Sequence, residues 1–274
     1  MGVDIIGAFG LGEREMICLV GAGGKTTLMF ALARHLARSG HRVVTTTTTK
    51  IFSPEDQQSP AVILVDEVKD FRPAVHRALA HGGHVTLAAR FLAEGKLAGL
   101  DPEFLCRLYE DGVVDYLIIE ADGAAGRSIK APAVHEPVIP AKATLAIPLV
   151  GLDAVNRPID DSLVFRLDHF CSVVGKSRGQ IITPADVAYL LTSPQGSLKN
   201  IPPRSRVIPF LNKSDLPGGP VLARQVVAAL AEIRSAAISR LAVGRAAHDQ
   251  PVSEVFDFDL RIKSSDLAAT PKGI

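Results

Sequence analysis

Residues 18–27 read Cys18-Leu19-Val20-Gly21-Ala22-Gly23-Gly24-Lys25-Thr26-Thr27. The apolar run from Met16 to Val20 has the continuous hydrophobic character of a strand buried on both faces. It stops at three glycines within four positions, followed by Lys25, two threonines and a helical pattern. Glycines let the backbone curl so that successive N–H groups point inward around a phosphate, where a Cβ would obstruct. The helix that follows presents its positive end, Lys25 adds a mobile charge, and Thr26 offers a hydroxyl to Mg²⁺. Gly21, Ala22, Gly23, Gly24, Lys25, Thr26 and Thr27 are therefore the expected cradle for a nucleoside triphosphate, because strand, loop, Lys-Thr and helix come in the required order.

The full phosphate-loop signature places a glycine five residues before Gly24, and Leu19 stands there, so the loop is entered from Gly21. The compact Gly-x-x-Gly-Lys-Thr-Thr resembles the phosphate loop of the Mur ligases, which also spend ATP, over seven residues.

Outward from the loop, strands and helices alternate. Leu28, Leu32 and Leu36 recur at helical spacing until Ser39-Gly40. Strands are expected at Val43 to Thr49, Ala61 to Asp66, His84 to Ala89, Tyr116 to Glu120, Ala143 to Val150, Arg206 to Leu211 and Ala237 to Val243. Helices are expected at Phe71 to His81, Phe91 to Leu100, Pro102 to Glu110, Pro184 to Leu191 and Val221 to Arg234. Continuous apolar strands alternating with helices imply an α/β fold of the phosphate-loop NTPase kind, a mainly parallel sheet with helices on both faces. Ligands of such sheets bind beyond the carboxyl ends of the strands. The expected division is a nucleotide-binding core over 1–150 and 205–245, a mostly helical insert or lid over 151–204, and a C-terminal tail over 246–274 whose last dozen residues are mobile.

Bulk properties exclude several classes. Hydrophobic residues make up 47% of the 274, ample for a packed core. Thirty basic side chains balance 29 acidic ones, so no global field steers the protein to nucleic acid or an anionic membrane. Met1 to Glu15 show no basic region followed by an apolar stretch, so no signal peptide is expected there; no apolar run reaches bilayer length, and Cys18, Cys106 and Cys171 form no Cys-x-x-Cys pair. A soluble, cytoplasmic protein with reduced cysteines is expected.

Three further constellations carry chemistry. Tyr116-Leu117-Ile118-Ile119-Glu120-Ala121-Asp122-Gly123 is an apolar strand delivering carboxylates to the loop's end of the sheet. Glu120, with Thr26, is expected to hold Mg²⁺, while Asp122 orders a glycine-rich turn that follows the γ-phosphate; the reverse assignment stays open. Lys25, Glu120 and Asp122 are the expected catalytic set. The threonine run ending in Thr48-Thr49-Lys50 offers hydroxyls to metal or γ-phosphate, against a plain strand-propensity reading of equal weight. Asn212-Lys213-Ser214-Asp215, after Phe210-Leu211, matches the base-reading motif of GTPases. Asp215 can accept both N1–H and N2–H₂ of guanine, Lys213 can lie along the ring, and Asn212 can tie base to loop; adenine would leave the carboxylate unpaired. The competing reading is an Asn/Asp loop capping the next helix. His135 and His169 have no partner at zinc-site spacing.

Taken in order, Val20 to Thr27, Thr45 to Lys50, Ile119 to Ala124 with Lys130, Ile182-Thr183-Pro184, Ser193 to Lys199 and Leu211 to Asp215 resemble the YqeC family, over about residues 10–245. The resemblance implies an accessory role for selenium-dependent molybdenum hydroxylases, helping to prepare their cofactor, with such a hydroxylase or maturation protein as partner. The expectation is a Mg²⁺-dependent protein that binds and hydrolyses GTP or ATP, with GTP favoured. Two alternatives are a Mur-like ligase or small-molecule kinase, with an acceptor pocket in 151–204, and a nucleotide-gated binding module without hydrolysis.

Overall fold

The computed structural model describes residues 3–258. In chain order the first half holds α1 (Ile5–Phe9), β1 (Glu15–Gly21), α2 (Lys25–Arg38), β2 (Val43–Thr47), β3 (Lys50–Phe52), β4 (Val62–Leu64), α3 (Arg72–Gly82) and β5 (His84–Ala88). Next come β6 (Phe91–Leu92), β7 (Lys96–Ala98), α4 (Pro102–Glu110), β8 (Tyr116–Glu120), β9 (Ile129–Lys130) and β10 (Leu145–Gly151). The remainder is β11 (Val164–Phe165), α5 (Leu167–Val174), α6 (Pro184–Thr192), β12 (Arg206–Val207), β13 (Phe210–Asn212), α7 (Gly219–Ile233), β14 (Arg240–Gly244) and β15 (Val252–Asp257).

The main sheet runs β15-β14-β13-β10-β1-β8-β2-β5-β4, with β12 also on β10. Its pairs are parallel except β14–β15. β1 lies at the centre, and alternate residues feed opposite layers. Ile17 and Leu19 pack with Leu28, Leu32 and Leu36 of α2, whereas Met16, Cys18 and Val20 pack with Val85, Leu105 and Leu117. Burial on both faces explains the unbroken apolar reading of β1, β8 and β10. A third cluster joins Ile129, Phe170, Ile182, Val187 and Leu190 to Leu211, Val226 and Leu230, so the segment carrying α5 and α6 shares its core with the β13–α7 unit. α6 starts with a Thr183/Asp186 capping box.

Register sets the site: Leu19 lies opposite Glu120, and Gly21 opposite Leu149. The carboxyl ends of β1, β8 and β10 therefore meet where the phosphate loop begins.

Three expectations change, and one element is new. The helix expected over Phe91–Leu100 is instead the two short strands β6 and β7, which pair antiparallel with each other, β7 also with β3. Gly95 is left-handed (φ 67°) and a Cβ on Gly99 would stand 2.4 Å from the Thr48 carbonyl carbon, conditions a helix does not meet. The Arg206–Leu211 strand is two strands, because Pro209 has no N–H for the ladder. Residues 5–9 form a short helix, capped by Asp4 and ended by left-handed Gly10, that buries Ile5 and Phe9. Past residue 245 the expected tail continues the sheet as β15; the last dozen residues, expected to be mobile, lie outside the described residues.

Candidate functional site

The loop between β1 and α2 has Gly21, Gly23 and Gly24 at φ 88°, 90° and 121°. A Cβ on Gly23 would meet the Gly151 nitrogen at 2.4 Å, and one on Gly24 the Asn212 Nδ2 at 2.4 Å. Only glycine fits either position. α2 starts at Lys25 without a side-chain cap, so its first amides have no intrahelical acceptor and face the loop's concavity with the helix's positive end.

Lys25 is buried, its Nζ donating to the Gly21 carbonyl at 2.6 Å. The same nitrogen lies 3.2 Å from Asp122 Oδ1 and 3.7 Å from Glu120 Oε1. Burial opposes its charge, but the Asp122 and Glu120 carboxylates outweigh that and leave the ammonium held above its ordinary range. Thr26 Oγ1 donates to Glu120 Oε2 at 2.6 Å. Burial pushes Glu120 upward, offset in part by Lys25 and the Thr26 hydroxyl. Asp122 Oδ2 accepts the Gly21 N–H at 3.1 Å, while Oδ1 has no hydrogen-bond partner among the described residues and has the Lys25 charge beside it. The hydroxyl and carboxylate oxygens of Thr26 and Glu120 are the hard donor set that Mg²⁺ selects, and they meet at the positive end of a helix where phosphate oxygens would complete the shell.

The second cluster closes the loop from β13. Asn212 Nδ2 donates to the Gly23 carbonyl at 2.7 Å, and its Oδ1 accepts the Ala246 N–H at 2.8 Å. Lys213, left-handed at φ 66°, sends Nζ to Asp153 Oδ2 at 2.7 Å and Ser128 Oγ at 2.9 Å. Asp215 is exposed and, with Gly24, Thr27, Asn212, Lys213 and the 245–248 segment, lines a cavity of about 390 Å³.

The hydroxyls of Thr48 and Thr49 are bonded to residues outside this loop. Thr48 Oγ1 donates to the Val138 carbonyl and Thr49 Oγ1 pairs with Thr47 Oγ1. Thr47 Oγ1 and the Thr48 N–H both bond to the Glu120 carbonyl, so the run braces the end of β8. Lys50 opens β3 and is exposed. His135 is exposed, and among the described residues no three His, Cys, Asp or Glu side chains are grouped for a metal.

Sequence reasoning passed over Asp153 and Ser128, weighed Glu136 only beside His135 as a metal ligand, and mentioned Lys130 only within the family motif. Lys130 Nζ lies 3.1 Å from Asp122 Oδ2 and 2.8 Å from Glu136 Oε2. A charged residue inside the apolar frame Ile129-Lys130-Ala131 was the available signal.

The central strand, the glycine loop and the parallel order define an α/β protein of the phosphate-loop class. Residues 17–168 match the YqeC protein family. A relative from Escherichia coli, described as uncharacterized protein YqeC, is 34% identical over 200 residues, 72% of this chain and 75% of the relative. The chain belongs to the YqeC family. Among solved structures, FtsY from Mycoplasma mycoides aligns at a TM-score of 0.41 with 11% identity, covering 92% of this chain and 66% of that one. The signal recognition particle 54 kDa protein from Aeropyrum pernix, in complex with GDP, aligns at 0.38 with 15% identity, covering 89% and 44%.

Proposed function

We propose that this protein binds a nucleoside triphosphate with Mg²⁺, hydrolyses it, and prefers GTP to ATP. The observation that carries the reading is the buried Lys25 ammonium at the mouth of a loop only glycine can form, with Thr26 and Glu120 joined beside it. Lys25 and the first amides of α2 would bind the β- and γ-phosphates and stabilise charge as it shifts during phosphoryl transfer. Thr26 and Glu120 would hold Mg²⁺, whose charge would neutralise the phosphate oxygens. Asp122, bonded to the Gly21 N–H, orients the turn over the γ-phosphate.

Asn212 supports the guanine preference. It ties the phosphate loop at Gly23 to the segment at Ala246, forming a cavity rim from which Asp215 can accept guanine's two donors. The motif resemblance set out from the sequence would give this protein an accessory role in maturing the cofactor of a selenium-dependent molybdenum hydroxylase, in the cytoplasm. A specific observation favours a second reading, transfer to an acceptor: a cavity of about 600 Å³ between the 125–127 turn and residues 161–178 is lined by Arg127, Arg166 and Arg178 together with Asp161 and Asp168, Arg178 being paired with Asp161.

The test is phosphate release and equilibrium binding with Lys25→Ala. Triphosphate binding should fall far more than diphosphate binding or thermal stability. A folded variant with unchanged triphosphate affinity would remove the phosphate-loop reading. Turnover that requires a hydroxylase extract or an added small anion would separate the accessory and acceptor roles.

A further inference from the structure

Lys130 has no exposed side-chain surface, and the loop chemistry above makes no use of it. Its Nζ donates to the Gly123 carbonyl at 2.7 Å and Glu136 Oε2 at 2.8 Å, and lies 3.1 Å from Asp122 Oδ2. Glu136 is fixed in turn: Oε2 also accepts the Ala133 N–H at 3.1 Å, and Oε1 lies 3.5 Å from Arg166 Nη2. Asp122 therefore sits between two buried ammonium groups, one on the phosphate loop and one outside it. Burying ions is expensive, and removing one partner of a buried pair costs more than the pair is worth. A second buried lysine beside Asp122 calls for a reason.

Lys25 supplies that reason. In its place beside Gly21, Asp122 and Glu120, its charge is shared among protein oxygens. To serve the phosphates it must leave them. Glu120 then keeps the Thr26 hydroxyl, but Asp122 would keep only the Gly21 N–H were Lys130 missing. A buried carboxylate with one neutral donor would compete with the ligand for Lys25.

We propose that Lys130 is a positioning residue of the phosphate site: it keeps Asp122 paired when Lys25 moves onto a triphosphate, and so sets how readily the loop lysine is released to the ligand. The inference rests on the triphosphate reading. Glu136 modulates it, because a carboxylate that shares Lys130 weakens that lysine's hold on Asp122.

The experiment is titration of the full chain with a non-hydrolysable GTP analogue and with GDP, both with Mg²⁺. Lys130→Met should weaken analogue binding at least about 10-fold while changing GDP binding only a few-fold. Lys130→Arg should recover most of the loss. Adding Asp122→Asn to Lys130→Met should bring affinity back to that of Asp122→Asn alone, since the competing carboxylate is gone. Glu136→Gln, which also serves if Lys130→Met fails to fold, should tighten analogue binding because Lys130 then belongs to Asp122. Wild-type affinity in Lys130→Met, a double variant as weak as Lys130→Met, or weakening by Glu136→Gln equal for both nucleotides would each overturn the inference. Wild-type protein that binds neither nucleotide would overturn the triphosphate reading itself, a distinct result.

Discussion

Gly24→Ala tests whether the phosphate loop and the β13 end are one mechanical unit. The new Cβ would stand 2.4 Å from Asn212 Nδ2, on a backbone at φ 121°. The backbone conformation alone costs an alanine about 1–3 kcal/mol. Relieving the contact moves the Asn212 amide, which breaks its bonds to the Gly23 carbonyl at 2.7 Å and the Ala246 N–H at 2.8 Å. Both partners are buried, and each lost bond is worth about 1 kcal/mol or more. The expected loss is therefore about 3–5 kcal/mol in chemical denaturation. Asn212→Ala alone should cost about 2–3 kcal/mol by the same bonds. In the double variant the alanine at 212 leaves room for the new Cβ, so the bonds are lost once and not twice. The double should be about 2 kcal/mol more stable than the sum of the singles. Strict additivity, or a Gly24→Ala loss below about 1 kcal/mol, would refute the argument that Asn212 is packed against and bonded to the loop.

Glu120→Gln should raise the Mg²⁺ concentration needed for activity, measured by titrating metal at fixed nucleotide; Asp122→Asn doing so with Glu120→Gln silent would reverse the two roles. GTP should bind at least ~10-fold more tightly than ATP, and Asp215→Asn should move preference toward xanthosine triphosphate, with equal ATP and GTP affinity in competition overturning base reading at Asp215. Burial lowers His84 to about 4, so between the ordinary histidine value and pH 4 the unfolded chain binds a proton that the native state does not. Stability is then fully present above that window and falls by up to about 3 kcal/mol as pH drops through it. His84→Gln should flatten this part of the stability–pH curve, read as the wild-type minus variant difference, and an unchanged slope would count against it.

The residues from Met16 to Thr27 carried the fold in their order alone. A strand buried on both faces has to be apolar throughout, and a loop with φ near 90° has to be glycine, so local chemistry announced both. Glu120 was legible for a similar reason, as a carboxylate closing an apolar strand. Residues 91–98 were not legible as strands, because a short apolar run has no period of its own and only pairing with Lys50–Phe52 decides it. The Thr48–Lys50 run was equally ambiguous: its hydroxyls could serve a phosphate or the fold, and only packing placed them against Val138 and Thr47. The most consequential contacts join distant positions. Lys130 reaches Asp122, and Asn212 reaches both Gly23 and Ala246, across segments whose residue types reveal no mutual preference. Local backbone and burial demands are written in neighbouring residues, whereas the pairing of buried charges and amides is set by which strand ends the sheet order brings together.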